Sequence, residues 1–506
     1  LVPAQRRPAQ RRPAHCRSGH GQPGRPQPRG PGTPGLRAPG PQASEARAVG
    51  VPAGDPGGAG GPGGVQRGIG RIGTVVTGWL GLAAVASLGQ AVATARMLPL
   101  AERGALVVLT TICAFGALVG GLGTNVAFRH YFGRADPRVG LGHYLGLTLA
   151  VTPLAAGLVT ASSLLLLTLS GGARVDGRLL AAVALLAAAN LLAAQVLDAL
   201  NAAGEISLAA ALAAGTSIAQ LVALLLGPRH PGLTHILVVL AGCWCAQVVV
   251  CLVELARRGL SVRPRRDRTA WRLLLRKGLP ALGLNIGATV AFRFDRLLVA
   301  AFGGASAAAV YSVASASCEA LRLLPGSVGQ VIFHRSARGT LAAATLRRVT
   351  LAVCGVLLVV AGALALASPW LLAELFGAGY GAAVTPMRLL LVAELLLAPF
   401  LIECRVLTGL GRTRAAGSVG LIGLLLSVGT YPVLVPWLGA TGAAIGSMIA
   451  YAVMTLLVRR ALRSHLADGA TPVVAAGPPM PVLFPDLPTP LVPPTAPEPA
   501  ARGARS

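Results

Sequence analysis

The chain is short of charge. Only 12% of its 506 residues are Asp, Glu, Lys or Arg, about half the share found in a soluble globular protein. Acidic residues are scarcest, 17 against 44 basic ones, and Lys277 is the only lysine. Hydrophobic residues make up 54% and the mean hydropathy is +0.67. Several apolar runs exceed the roughly 20 residues that cross a hydrocarbon core of about 30 Å. A water-soluble fold is excluded by this composition, and the sequence reads as an all-α polytopic membrane protein.

Metal and redox motifs are missing too. The eight cysteines include no C-x-x-C pair and no zinc-type spacing. Cys243, Cys245 and Cys251 lie in one apolar run, where they serve as small buried hydrophobes. Histidines fall mostly at the ends of apolar runs, without a second ligand at helical spacing. No metal site, cofactor or catalytic constellation is expected. An integral-membrane glycosyltransferase or polymerase would usually need a sizeable outer loop with acid/base residues, and every outer loop here is short, so the chain does not read as an enzyme.

The charge that is present is mainly arginine, giving a net +27. Such an excess suits nucleic-acid binding in principle, but these arginines occupy the tails and short loops between apolar spans. The positive-inside bias accounts for them, and no nucleic-acid partner is expected. About 12 spans are counted on a 20-residue template. In the first half they run over 72–95, 104–128, 143–169, 178–201, 206–226 and 233–256. In the second they run over 279–302, 306–333, 349–372, 387–410, 415–437 and 441–462. The expected organisation is a disordered Pro/Gly/Arg-rich tail (1–70) and an N-lobe of six spans (72–258). A basic amphipathic connector (259–277), a C-lobe of six spans (278–463) and a disordered Pro/Ala-rich tail (466–506) follow. The connector, with Trp271 and a Leu273–Leu275 patch, reads as a helix lying on an anionic inner leaflet. Loops on one side hold 21 basic residues, including Arg129, Arg134, Arg138 and the connector cluster, against six on the other. That bias places both termini in the cytoplasm of a multi-pass protein of the plasma membrane.

The halves repeat weakly. Asn125–Arg129 (NVAFR) and Gln330–His334 (QVIFH) close the second and eighth spans, and Leu200–Gly204 and Leu407–Gly411 close the fourth and tenth. Two matches at almost one offset imply two pseudo-symmetric lobes. With six spans per lobe, the repeats share one orientation, and transporters built this way place the substrate path between the repeats.

Four segments carry a resemblance to a known family. FRFDRLLVAAFGGASAAAVYSVASASCEALRLLP (292–325) resembles the central segment of polysaccharide exporters, where an x-D-R-hydrophobic helix leads into G-x-Y-S-x-A. LFGAGYGAAVTPMRLLLVAELLLAPFLIECRVLTGLGRTRAAG (375–417) resembles their F-G-x-x-Y turn, long helix and L-x-G-L-G-R turn. LGATGAAIGSMIAY (438–451) resembles their last helix, and ARMLPLAERGALVVL their first turn, with Met97-Leu98-Pro99 departing from the usual Leu-Gly. The family is the oligosaccharide-lipid, or Wzx-like, flippase branch of the multidrug/oligosaccharidyl-lipid/polysaccharide (MOP) exporter superfamily, whose members are called polysaccharide biosynthesis proteins. The resemblance implies a MATE-like V-shaped cavity between two six-helix lobes. It also implies alternating access that moves polyprenyl-pyrophosphate-linked oligosaccharide from the cytoplasmic to the outer leaflet. Partners would be the lipid-linked substrate, membrane lipids, and a polysaccharide polymerase and glycosyltransferases. The alternative is a cation-coupled small-molecule or drug antiporter of the same superfamily.

Charges inside the spans are the candidate site, since each costs at least a few kcal/mol unless it faces protein or a water-filled cavity. Asn285, Thr289, Arg293 and Arg296 form one helical stripe, and Tyr311, Ser315, Glu319 and Arg322 repeat the same spacing on the next span. Arg293, Arg296, Arg322, Asn285 and Tyr311 are therefore expected to line a cavity, where arginines would hold a pyrophosphate by charge-assisted, bidentate contacts. Interhelical bonding within the bundle is the alternative reading of the same stripe. At about 1.5 Å per residue, Arg293 falls in the outer third and Arg322 in the inner third, as two successive stations. Glu394, without a local partner, and Glu319, with Arg322 three residues on, are candidates for cation or proton coupling. Asp295 is expected in a structural ion pair with a neighbouring helix or with Arg296. Asp198, Arg129, Glu403 and Arg405 read as interfacial.

Overall fold

The computed structural model describes residues 62–467 except 135, 171–174, 229 and 338–340; the side chains of 62–74, 170, 283–292, 334, 337, 413 and 465–467 are not described. Both expected tails fall almost wholly outside the described residues, as does the side chain of Asn285. The described elements are all helical. The first half holds α1 (Pro62–Met97), α2 (Leu100–Gly120), α3 (Thr124–Phe132), α4 (Leu141–Ser170), α5 (Gly177–Ala202), α6 (Ile206–Leu226) and α7 (Leu233–Arg257). The second holds α8 (Arg268–Glu319), a 3-10 turn (Ala320–Arg322), α9 (Leu323–Ala337), α10 (Ala343–Phe376), a 3-10 turn (Ala378–Ala383), α11 (Val384–Gly409) and α12 (Thr413–Ala467). Helices are the open-ended structure a membrane permits, because each closes its own backbone hydrogen bonds.

α8 and α12 are too long to be single spans, and each breaks at one glycine. Gly304 (φ 79°) interrupts α8 and Gly439 (φ 56°) interrupts α12. Both angles lie in the left-handed region, which glycine enters without a Cβ clash. Tyr311 Oη bonds Asp295, and Tyr431 Oη meets Ser447 Oγ, each pair 16 residues apart. In a straight helix those pairs would be about 24 Å apart, so each helix must fold back on itself at its glycine. Nine described segments are long and apolar enough to cross a membrane, and two of them, 293–333 and 414–464, are these hairpins. α11 is also long enough but carries Arg388, Glu394, Glu403 and Arg405. Counted by arm, the described residues supply about twelve helical lengths that could cross a membrane. Large apolar side chains such as Leu226, Val359, Leu366 and Trp437 stand exposed on its outer faces, as a lipid-facing surface requires.

The expected span 104–128 is not continuous. The run Gly120-Gly121-Leu122-Gly123 ends α2, with Leu122 (φ 51°) and Gly123 (φ 63°) both left-handed, before α3 begins. Close approach explains the glycine: a Cβ on Gly123 would stand 2.2 Å from the carbonyl oxygen of Gly278 in α8. At the other end of α2, a Cβ on Gly104 would stand 1.8 Å from the carbonyl oxygen of Ala305, beside the α8 break. Backbone thus meets backbone at both ends of the seam where α2 packs along α8. Elsewhere α2, α4, α5 and α7 pack together with α6 bridging to α1, and α8, α9, α11 and α12 form the second group.

The stretch between the two groups is helical only from Arg268, where the Asp267 side chain accepts from the Thr269 N–H at 2.8 Å. Ahead of it the backbone of 263–265 lies on α4, where Arg265 N donates to Gly142 O at 2.8 Å. A Cβ on Gly146 would reach within 2.3 Å of Arg265 O, so Gly142 and Gly146, one turn apart, form its bed. Trp271 Nε1 donates to the His143 carbonyl at 3.1 Å, which ties the connector to α4.

The repeat signal has a backbone counterpart. After α5, Gly204 (φ 92°) bonds Asn201 O and Glu205 N bonds Leu200 O. After α11, Gly411 (φ 77°) bonds Thr408 O and Arg412 N bonds Leu407 O, the same pattern at the same offset.

Candidate functional site

A cavity of about 560 Å³ lies on the seam between the two helix groups. One wall is the α2–α3 junction, with Phe115, Gly121, Gly123 and Asn125; a second is α5, with Asn190, Gln195 and Asp198; the third carries Leu282, Arg293 and Arg322. Arg293 is exposed to this space and makes no ion pair among the described residues. Arg322 is half-buried at the end of the 3-10 turn that follows α8.

The structure therefore brings Arg293 and Arg322 to the lining of one cavity, so the two expected stations share a single space. Counting residues along straight helices fixes the axial positions of their Cα atoms. It ignores the reach of two long side chains and the 3-10 turn that re-aims Arg322.

Most of the other charges pair across helices, in a pattern that differs from the expected one. Arg322 grips Glu394 of α11, with Nε 2.8 Å from Oε2 and Nη2 2.5 Å from Oε1, and Nη2 is also 3.2 Å from Tyr451 Oη. Glu394 thus has a partner after all, one supplied from 72 residues away. Glu319 pairs with Arg296 across the α8 hairpin rather than with Arg322 three residues on. Arg296 stands opposite on the first arm and takes the Glu319 carboxylate, while Arg322 turns to Glu394. Neither coupling candidate is available to a cation unless it gives up its guanidinium.

Asp295 and Tyr311 also depart from expectation. Asp295 is buried, accepts from the Tyr311 hydroxyl at 2.6 Å and from the Arg296 N–H at 2.8 Å, and makes no ion pair among the described residues. Tyr311 is fully buried and so does not line the cavity; its stripe faces the opposing arm. Arg296, engaged with Glu319, is likewise away from the cavity lining.

Several polar residues now in view had been assigned to interfaces or passed over. Asp198 lines the cavity, where it accepts from Asn125 Nδ2 at 2.7 Å and pairs with Arg129. Asn190 and Gln195 share its face of α5, and the signal was legible: three polar residues within nine positions of an apolar helix. Glu403 is buried against Arg459 at 3.2 Å. Arg103 is buried at the start of α2, and its Nε has no partner among the described residues.

Comparison with known proteins returns structural likeness only. No family model matches the sequence, and no curated protein matches it. The chain superposes on a multidrug resistance MATE-family transporter of the MOP superfamily in its inward-facing conformation, with a TM-score of 0.57 and 18% identity over 77% of this chain and 96% of that one. It superposes on the lipid II flippase MurJ, in an inward closed conformation, with a TM-score of 0.68 and 12% identity over 77% of this chain and 87% of that one. A third match is a MOP-superfamily transporter from Pyrococcus furiosus noted for the reverse polarity of its binding pocket, with a TM-score of 0.53 and 17% identity over 79% and 95% of the two chains. Identity this low establishes architecture alone: the chain has the fold of the MOP-superfamily transporters.

Proposed function

We propose that the protein is a flippase that carries a polyprenyl-pyrophosphate-linked oligosaccharide across the membrane by alternating access, for cell-surface polysaccharide biosynthesis. The observation that carries this reading is the Arg293 guanidinium, open to an inter-group cavity and without an ion-pair partner among the described residues. A cation left unpaired within a membrane protein calls for an anion. A planar guanidinium suits phosphate oxygens through paired N–H donors. Arg322 lines the same cavity and can share its charge between Glu394 and an incoming phosphate. In this reading the residue classes divide: Arg293 and Arg322 bind the substrate, while Asp295 and Tyr311 hold the hairpin. Glu319 and Glu394 couple only through exchange of their arginine partners. The likeness to a lipid II flippase fold supports a lipid-borne substrate. The basic end of the bundle is assigned to the cytoplasm, and a polymerase and glycosyltransferases are the functional partners.

The MATE-type neighbours support the second reading, a cation-coupled small-molecule antiporter. Complementation separates the two. Arg293→Ala and Arg322→Ala should abolish surface polysaccharide in a deletion strain, with the protein still present in the membrane. Full polysaccharide in both variants, together with drug efflux by the wild type, would reverse the assignment.

A further inference from the structure

The two sides of the cavity differ in chemistry. Arg293 and Arg322 put positive charge on one side. Beside Asp198, the α5 side offers neutral amides: Asn190 is half-buried and its side chain makes no hydrogen bond among the described residues, and Gln195 is only 4% exposed. Gln195 is held in one orientation. The Tyr144 hydroxyl donates to its Oε1 at 2.5 Å, and the Tyr144 ring stacks on Phe128 with centroids 4.4 Å apart. Its Nε2 is thereby turned toward the cavity turn, where a Cβ on Gly121 would come within 2.4 Å of it. No described protein group accepts from this Nε2. Phe115, on the neighbouring α2 wall, adds an aromatic side chain to the lining.

We infer that α5 is the sugar-reading wall of the cavity, with Gln195 as the specificity-determining residue, aligned by Tyr144. This inference rests on the flippase reading and adds an orientation to it: phosphate toward Arg293 and Arg322, glycan toward Asn190, Gln195 and Phe115. The chemistry favours a polyhydroxyl ligand. Amides donate and accept at once, as hydroxyls do, and an apolar ring packs against the C–H face of a pyranose. A second phosphate is not favoured on this wall, which brings the Asp198 carboxylate and no arginine to the cavity lining. A volume of about 560 Å³ is that of a drug-sized ligand, which suits a short glycan and not a polymer. A buried donor positioned for a hydroxyl also discriminates against ligands lacking one, because it is then left unpaired.

The test is direct binding to the purified full-length protein in nanodiscs, with two probes: undecaprenyl pyrophosphate, and the same lipid carrying N-acetylglucosamine. The wild type should bind the sugar-bearing lipid about tenfold more tightly, the scale of one or two well-placed hydrogen bonds. Gln195→Leu and Asn190→Leu should each lower that preference and leave the affinity for the bare lipid unchanged. Tyr144→Phe, which removes only the aligning hydroxyl, should lower it partly. Arg293→Ala should weaken both lipids alike, which marks the phosphate side. The inference is overturned if the wild type shows no preference, or if the α5 variants weaken both lipids equally. Binding of neither lipid would overturn the flippase reading with it. If Gln195→Leu does not fold, Asn190→Leu, whose side chain is half open to the cavity, decides the question.

Discussion

The α8 and α12 hairpins are built alike and charged differently. Each folds at a left-handed glycine, and each is tied by a tyrosine hydroxyl reaching a residue 16 positions away. In α12 the tie is neutral, Tyr431 to Ser447, and the Ser447 hydroxyl also bonds the Ala443 carbonyl at 3.1 Å. In α8 the tie ends on a carboxylate, Asp295, and an ion pair, Arg296–Glu319, is added across the same hairpin. α12 demonstrates that a membrane hairpin of this design closes without charge. The ionic groups of α8 therefore exceed what closure needs. Arg293, the one that opens to the cavity without an ion-pair partner among the described residues, is the one with function left to explain.

The comparison can be broken most severely at the seam. Gly104→Val should be the most damaging substitution, because even a Cβ there meets the Ala305 carbonyl oxygen at 1.8 Å and only backbone movement can relieve it. Loss of monodisperse protein in fluorescence-detected size exclusion is the expected outcome. A normal elution profile would mean that the seam between α2 and α8 is loose.

Next in size is the Arg322–Glu394 pair, which is more deeply buried than the Arg459–Glu403 pair by which α12 also meets α11. Arg322→Met should destabilise by about 3 kcal/mol, since Glu394 is left buried and unpaired. The double variant Arg322→Met/Glu394→Gln should recover most of that loss in a thermal melt. Equal melting of single and double variants would show that the pair is not coupled.

The two tyrosine ties give the sharpest contrast. Tyr311→Phe should cost about 2 kcal/mol, because it removes a hydrogen bond to a charged group, and Tyr431→Phe about 1 kcal/mol, because its partner is neutral and keeps a second bond. If the order is reversed, the carboxylate of Asp295 is satisfied by something other than Tyr311.

The smallest effect belongs to the loop between α3 and α4. The Asp136 carboxyl is drawn from its usual 3.8 down to about 2 by hydrogen bonds from the Arg138 side chain and backbone. A carboxylate depressed on folding stabilises the native state above its unfolded value and gives that up as pH falls toward about 2. Because Arg138 is open to water, the contribution is small. The melting difference between wild type and Asp136→Asn should be slight at pH 7 and gone near pH 2.

Much of the fold was legible from residues alone, because the bilayer imposes a length and a polarity that composition reports directly. The apolar spans, the turn near Gly303–Ser306 and the repeat at Gly204 and Gly411 all follow from local rules. The break at Leu122–Gly123 was missed because it answers to Gly278, a distant neighbour. The site was half legible. The charge stripes on α8 stood out, yet Glu319 was set beside Arg322, Glu394 was left without a partner, and the amide face of α5 went unread beside them.

The sequence by itself determined that the chain crosses the membrane many times, that its two halves echo each other, and that its rare buried charges gather in α8 and α11. Span length, hydropathy and glycine punctuation are properties of short stretches and need no partner. Only the tertiary structure decided which charges neutralise one another and which one opens to the cavity. Pairing depends on distances between helices dozens of residues apart, and a side chain in a low-dielectric interior takes its role from what lies opposite. Arg322 met Glu394 there, Tyr311 met Asp295, and Arg293 was left facing the cavity.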